Sequence, residues 1–357
     1  MKPIERVTLL CALIAVADAC SSDKHVLGPS GSKLLTADAG AEDQPAYGPW
    51  GTPVNLGPVV NSPYNDNHPA ISKDGLSLYI TSSPLPSPPG SRPGGRGGAD
   101  IWVSQRASID APWGEPVDLG PNINSAGNDG APSLSTDGHR LYFHSTGRGG
   151  CGAADLFVSR RQDKRDDFGW EPAENLGCVV NSPFADNGPT IFEDDATGIT
   201  TLYFNSPRPG GLDTDIYAST LQADGTFGPG VLVPELNSPF ADDRVAIRRD
   251  GLEIFVSTNR PGGVGSQDIW VATRATTLDP WSPPVPLGPV VNSPYFDGGP
   301  ALSFDGTELY FLSERPGGFG GRDLYVSTRA RLRGPDVADN ARDETRQRGK
   351  DKEREER

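Results

Sequence analysis

The chain has 357 residues, including 44 glycines and 35 prolines, and it carries a formal charge of −15 at pH 7. This much glycine and proline indicates many short strands joined by tight turns and excludes a fold built from long helices. The negative charge excludes nucleic acid as a partner, because binding to a phosphate backbone needs clustered lysine and arginine.

The first segment, residues 1–19, has the pattern of a signal peptide. Basic residues precede an apolar stretch at 7–16, which is too short to span a bilayer. Cys20 follows directly and resembles the lipidated cysteine of bacterial lipoproteins. We therefore expect an exported protein. It is either an outer-membrane lipoprotein anchored through Cys20, on the periplasmic or cell-surface side, or a secreted protein.

Two further segments have compositions that cannot form a packed core. Residues 20–48 are rich in serine, glycine and aspartate, which predicts a flexible tether. Residues 331–357 are almost entirely charged or polar, which predicts a disordered tail. The folded domain is therefore expected at 49–330.

Five copies of one repeat fill this domain. Each copy has an aromatic residue, then an Asn-Ser pair, then an aspartate five positions after that asparagine, and ends on two short strands separated by an Arg and a Gly-Gly pair. The spacings between successive asparagines are 63, 57, 56 and 55 residues, for Asn61, Asn124, Asn181, Asn237 and Asn292. We call the five aspartates the ring aspartates: Asp66, Asp129, Asp186, Asp242 and Asp297. This period and strand content are typical of propeller blades.

The strand pattern predicts an all-β fold, a single five-bladed β-propeller. We label the strands of a blade a (after the ring aspartate, near Pro69 in the first copy), b, c and d. The last copy lacks strand d, whereas an unpaired d-type strand at 50–57 precedes the first copy. The N-terminal strand should therefore complete the fifth blade and close the ring, which removes exposed sheet edges. The b–c loops and d–a links should share one face of the propeller.

The cysteines allow one disulfide in the folded domain. Cys11 and Cys20 belong to the export segment, which leaves Cys151 in a b–c loop and Cys178 in the following d–a link. An even pair in an exported chain indicates a disulfide, and both residues are expected on the same face.

Candidate binding residues follow from the ring aspartates. They could surround the channel mouth and bind a ligand or a cation through their carboxylates, or they could bind backbone amides of their own turns. The second residue after each ring aspartate differs between copies, and we call this set the axial residues: His68, Ala131, Gly188, Arg244 and Gly299. His68 and Arg244, with Asp243, break the symmetry there, so an asymmetric ligand is expected to contact them.

Neither catalysis nor a cofactor has a clear sequence motif. The glycine loops have the spacing GGxGxxD, one residue longer than a calcium-binding glycine repeat, so a structural role is favoured and no cofactor is predicted. The aspartate that ends each loop should then hold the loop in place, and the loop arginine could pair with a neighbouring blade. No G-x-S-x-G motif and no Cys/His metal spacing occurs.

The repeats resemble the TolB-type, WD-like propeller repeat of bacterial envelope proteins. The matching residues are those of Ser303–Arg329, SFDGTELYFLSERPGGFGGRDLYVSTR. This resemblance implies a non-enzymatic binding or scaffold propeller of the cell envelope. Its partner would be an envelope protein or a glycan, held on the face of the b–c loops and d–a links. The alternative is a carbohydrate-active enzyme of the five-bladed glycosidase type that uses carboxylates at the channel mouth.

Overall fold

The computed structural model describes residues 46–86 and 89–332. The predicted signal peptide, the lipidation site Cys20, most of the predicted tether and nearly all of the predicted tail lie outside the described residues. Within the described ranges the secondary structure is entirely β, and no helix there is long and apolar enough to cross a membrane.

Five four-stranded antiparallel sheets form the blades, so the predicted five-bladed propeller is confirmed. Each sheet has the order a, b, c, d. The strands are, for the first blade, β2 (Asn65–Ile71), β3 (Ser77–Ser83), β6 (Asp100–Gln105) and β7 (Val117–Asp118); for the second, β8 (Asp129–Leu134), β9 (Arg140–Ser145), β10 (Asp155–Arg160) and β11 (Glu174–Asn175); for the third, β12 (Asn187–Glu193), β13 (Thr200–Ser206), β14 (Asp215–Thr220) and β15 (Val231–Leu232); for the fourth, β16 (Asp242–Ile247), β17 (Glu253–Thr258), β18 (Asp268–Thr273) and β19 (Val285–Pro286); for the fifth, β20 (Asp297–Leu302), β21 (Glu308–Ser313), β22 (Asp323–Thr328) and β1 (Val54–Asn55). A small hairpin, β4 (Leu85–Pro86) with β5 (Pro89–Gly90), extends the b–c loop of the first blade.

The ring closes as predicted. Strand β1 pairs antiparallel with β22, with Val54 opposite Val326 and Asn55 opposite Tyr325. Backbone bonds continue this contact beyond the strands, where Leu332 N–H donates to the carbonyl of Ala46 at 2.8 Å. The N-terminal strand therefore serves as strand d of the fifth blade, and the edge of β22 is covered.

The hydrophobic core lies between blades. Strand b contains a continuous run of buried apolar residues, and these pack against strand c of the same blade and against the neighbouring blade. Between the first and second blades, for example, Tyr79, Phe143 and Trp170 share one buried cluster. Successive side chains of a strand point to opposite faces, so a continuous apolar run such as LYF is typical of a strand with both faces covered.

The Asn-Ser pair of each repeat joins two blades. Asn61 Oδ1 accepts a hydrogen bond from the N–H of Leu324 at 2.8 Å, and its Nδ2 donates to the carbonyl of Leu324 at 3.1 Å, in the preceding blade. Ser62 donates both its N–H and its hydroxyl to Asp66 of the following blade. The d–a link is thereby held from both sides.

The loop arginines differ from the expectation that they pair with a neighbouring blade. Each one pairs with the ring aspartate of its own blade, as Arg92 does with Asp66 at 2.9 Å. The b–c loop folds back over the start of strand a in the same sheet, so this is the nearest carboxylate. The aspartates that end these loops do hold them as predicted: Asp268 accepts the N–H of Val264 at 2.8 Å.

The predicted disulfide pair is bonded in the structure. Cys151 and Cys178 have a Cα separation of 5.5 Å and join the b–c loop of the second blade to the d–a link that leaves it. The N–H of Cys151 also donates to Asp155, which fixes the loop locally.

Strand a begins earlier than predicted, within one residue of the ring aspartate, and contains a bulge. The register with strand b shifts just after the ring aspartate, as between Gly130 and Ser133. At the bulge the axial residues of four blades have left-handed backbone angles, with φ of 43° at His68, 52° at Ala131, 58° at Gly188 and 57° at Gly299. The bulge turns these residues towards the propeller axis.

Candidate functional site

The ring aspartates lie inside the blades, fully buried. In the fifth blade, Asp297 accepts hydrogen bonds from the N–H and the hydroxyl of Ser293, both at 2.6 Å, and from Arg315 Nη2 at 2.6 Å. The arginine hydrogen bond recurs in the pairs Asp66–Arg92, Asp186–Arg208 and Asp242–Arg260, whereas in the second blade Arg148 Nε lies 3.6 Å from Asp129 Oδ1. Their carboxylates therefore face partners of their own repeat, and a ligand role for them stays a prediction.

The five axial residues meet at the centre and line one pocket of about 700 Å³, its mouth included. We call it the central pocket. It lies towards the ends of the strands that carry the b–c loops and d–a links. Two further repeat positions complete the wall: the strand-b residue that faces the bulge, and the residue before the aspartate of strand c. They contribute His144, Asn205, Ser257, Leu312, Gln267 and Arg322.

Arg244 crosses the propeller axis. Its side chain starts in the fourth blade, and Nη2 donates to the carbonyls of Pro132 at 2.5 Å and Pro69 at 3.4 Å, in the second and first blades. Arg244 also lines a second cavity on the opposite face, so its side chain separates the two. Only 4% of the residue is exposed, and Nε and Nη1 have no hydrogen-bond partner among the described residues. Burial lowers the pKa of Arg244 to about 9, which leaves it charged at neutral pH.

Asp243 supplies the one carboxyl group among the described residues that line the central pocket. Asn205 Nδ2 donates to one of its oxygens at 2.8 Å, and Gln267 Nε2 makes a long contact of 3.5 Å with the other. Burial raises the pKa of Asp243, because a charged carboxylate is poorly solvated there. At a given pH, the neutral, proton-donating form of Asp243 is therefore more populated than that of an exposed aspartate.

Two histidines in the central pocket are shifted in the opposite direction. Burial lowers the pKa of His68 well below its usual value and that of His144 to about 4, and the nearby charge of Arg244 lowers both further. The Nδ1 atoms of both rings are buried without a hydrogen-bond partner among the described residues. Both imidazoles are therefore neutral at pH 7, and each is a weaker base than an exposed histidine.

His68 occupies a backbone conformation that suits glycine. Its φ of 43° matches the 58° and 57° of Gly188 and Gly299 at the same repeat position. A left-handed conformation costs a residue with a Cβ roughly 1–2 kcal/mol. Strained backbone of this kind is found at functional sites, where it places a side chain that the function needs.

Replacing His68 by glycine is therefore expected to raise the free energy of unfolding, by about 1 kcal/mol. Urea denaturation measures this. The matched control is His139→Gly, in a surface turn without positive φ, which is expected to lower stability by about 0.5–1 kcal/mol. A loss of stability in His68→Gly equal to that of the control would contradict the strain argument.

The structure thus brings together His68, Asp243 and Arg244 from the predicted site and keeps the ring aspartates apart from it. Sequence reasoning missed His144, Gln267 and Arg322. A usable signal existed: at their two repeat positions the copies differ, as at the axial residues. The other copies have Thr81, Asn205, Ser257 and Leu312 at the first position and Ala99, Ala154 and Thr214 at the second. Positions that vary between otherwise similar repeats mark the asymmetric site.

No cluster of three or more metal-binding side chains occurs within the described ranges. The expectation that the chain binds no cofactor, calcium included, stays a prediction.

No protein-family model matches the chain, and comparison with curated protein sequences finds no match. Solved structures do match. An α-L-arabinofuranosidase, PaAbf62A from Podospora anserina in complex with cellotriose, has a TM-score of 0.52 at 12% identity and covers 79% of this chain and 97% of its own. A thermostable family-43 glycoside hydrolase has a TM-score of 0.51 at 16% identity, covering 79% and 93%. The catalytic domain of a GH62 α-L-arabinofuranosidase from Coprinopsis cinerea has a TM-score of 0.51 at 12% identity, covering 79% and 98%. At these identities the likeness shows the fold alone.

These matches correct the resemblance drawn from the repeats. The three solved structures named above, each similar to this chain over 79% of its length, are glycoside hydrolases and not TolB-type proteins, so the assignment to the TolB-type, WD-like envelope family is wrong. The non-enzymatic scaffold derived from that family is wrong with it, as is the envelope protein as partner. The misleading signal was local: the Arg-Pro-Gly-Gly loop and its flanking strands form a blade hairpin that different propellers can share.

Proposed function

We propose that the chain is a carbohydrate-active enzyme that holds a sugar unit in the central pocket and cleaves its glycosidic bond. One observation carries the proposal: the pocket contains a carboxyl group with a raised pKa beside histidines with lowered pKa values. Acid and base groups with perturbed pKa values that share one cleft are typical of catalytic sites.

The lining of the pocket suits a sugar. The amides of Asn187, Asn205 and Gln267 and the hydroxyl of Ser257 can exchange hydrogen bonds with sugar hydroxyls, whereas Phe296 and Leu312 offer apolar surface to the ring. Polar groups converge within its concave wall, as they do in small-molecule sites. The propeller fold, shared with solved glycoside hydrolases, also supports the proposal.

The chemistry assigns the acid role to Asp243. It donates its proton to the leaving glycosidic oxygen as the bond from the anomeric carbon to that oxygen breaks. A water molecule attacks the anomeric carbon and forms the new bond, and its proton passes to His144 or His68. Most glycosidases use a second carboxylate for the last role. In the described lining a neutral histidine takes its place, because Asp243 is the one carboxyl group there.

Export also stays a proposal. It rests on the signal-like segment 1–19, and the disulfide between Cys151 and Cys178 supports it, because such bonds persist in oxidising compartments.

The proposal is tested by incubating the purified protein with a panel of polysaccharides, neutral and acidic, and measuring new reducing ends over time. We expect release from at least one polymer, at a rate that scales with enzyme concentration. The absence of release from every member, between pH 4 and 8, by a protein that unfolds cooperatively on heating would contradict glycoside cleavage.

A further inference from the structure

Arg244 is an addition to the fold rather than a requirement of it. At the same repeat position two other blades have glycine and one has alanine, and those blades pair their strands normally. The propeller therefore closes around its axis with no side chain beyond Cβ at this position in three of five blades. An arginine here needs an explanation outside folding.

The guanidinium of Arg244 is left incompletely paired. Nη2 is bound by carbonyls of Pro132 and Pro69, whereas Nε and Nη1 are buried without a partner in the described part of the chain. A buried cation is costly unless it is paired with an opposite charge and fully hydrogen-bonded. The neighbouring Asp243 does not meet this need: its charge acts on Arg244, but it forms no hydrogen bond with Nε or Nη1.

Among the charges that line the pocket, that of Arg244 has no ion-pair partner in the described part of the chain. Arg322 is paired with Glu314 at 2.8 Å, and Asp243 is the one acid in the described lining. An uncompensated charge in a cleft with low-dielectric walls attracts ligands of the opposite sign. The charge of Arg244 therefore favours an acidic ligand in this pocket.

We infer that the sugar unit bound in the central pocket carries a carboxylate, as a uronic acid does, and that Arg244 binds this carboxylate. The inference rests on the proposed function and names the class of substrate. A carboxylate accepts charge-assisted hydrogen bonds from guanidinium nitrogens, so it satisfies the unpaired donors of Arg244. A neutral sugar hydroxyl supplies no compensating charge.

Matched sugars test the inference on the whole protein. Binding of D-glucuronic acid and D-galacturonic acid is compared by calorimetry with that of D-glucose and D-galactose, and trigalacturonic acid is compared with its methyl ester. Within each pair the sugars differ only at the carboxyl carbon. We expect the acid to bind about tenfold tighter or more, the range for a hydrogen bond to a charged group. Equal binding within every pair would overturn the inference.

Two variants locate the effect. In Arg244→Met the preference for the acid should disappear, whereas the control Arg160→Met, on an exposed strand end, should keep it. Arg244→Lys keeps the charge without the planar geometry and should retain part of the preference. If Arg244→Met keeps the full preference, Arg244 is not the binding group. If Arg244→Met does not fold, the matched sugars on the wild-type protein and on Arg244→Lys still test the inference.

The outcomes separate this inference from the proposed function. Cleavage of neutral glycosides without preference for acidic ones would overturn the uronic acid as substrate and would still support the glycosidase activity. Preferential binding of acidic sugars without cleavage of any glycoside would support the uronic acid as ligand and would overturn the glycosidase activity. Tighter binding of glucose 6-sulfate than of glucuronic acid would overturn the carboxylate in favour of a sulfated sugar.

Discussion

Replacing Asp243 by asparagine is expected to lower the rate of glycoside cleavage by about 10²–10⁴-fold, the usual contribution of a general acid. Asparagine has nearly the same shape and can still accept a hydrogen bond from Asn205 Nδ2, but it has no proton to donate. The control is Asp110→Asn, an exposed aspartate in the loop between strands c and d of the first blade, which should keep the wild-type rate.

Aryl glycosides with acidic phenols distinguish the acid role from simple damage. Such leaving groups depart without protonation, so Asp243→Asn should lose far less activity on them than on natural glycosides. Equal losses on both kinds of substrate would show that Asp243 positions the sugar and does not protonate it.

The same assignment fixes the sign of the pH dependence. Asp243 acts when protonated, so the rate should fall, about tenfold per unit, above its raised pKa. His144 acts when neutral, so the rate should fall below pH values of about 4 if it is the base. The optimum is therefore acidic, and Asp243→Asn should remove the alkaline limb of the profile. An alkaline optimum in the wild type would contradict these roles.

The fold could be predicted because the same strand pattern occurs in five copies of the repeat. In-phase copies, a missing strand d at one end and an unpaired strand at the other leave one way to close the ring, and β1 pairs with β22 accordingly. The bulge was harder to predict. In four blades it contains an axial residue in a left-handed conformation, and the sequence shows glycine in only two of the five copies.

The site could be predicted only in part. His68, Asp243 and Arg244 were found because they break the symmetry of the repeat. The contacts of Arg244 were not, because its partners Pro132 and Pro69 lie 112 and 175 residues away in sequence. Which residues share a pocket depends on the tilt and packing of whole blades, which local patterns do not contain.

The repeat was most misleading about the role of the ring aspartates. A carboxylate in every blade resembles a binding ring, yet each is fully buried and paired in its own repeat. Replacing Asp297 by asparagine is therefore expected to lower the free energy of unfolding by about 3 kcal/mol, because it leaves the Arg315 charge, on a side chain that is 17% exposed, without a counter-charge. Urea denaturation measures this loss.

Two comparisons make this second prediction decisive. Glu174→Gln breaks an exposed ion pair with Arg160 and should cost less than about 1 kcal/mol. Arg315→Met in the Asp297→Asn background removes the unpaired charge of Arg315. It should therefore recover part of the free energy of unfolding that Asp297→Asn loses. If Asp297 instead served a ligand, Asp297→Asn would keep wild-type stability and lose sugar binding. That result would place the binding site at the ring aspartates and not in the central pocket, because Asp297 would then be needed for the ligand and not for pairing with Arg315.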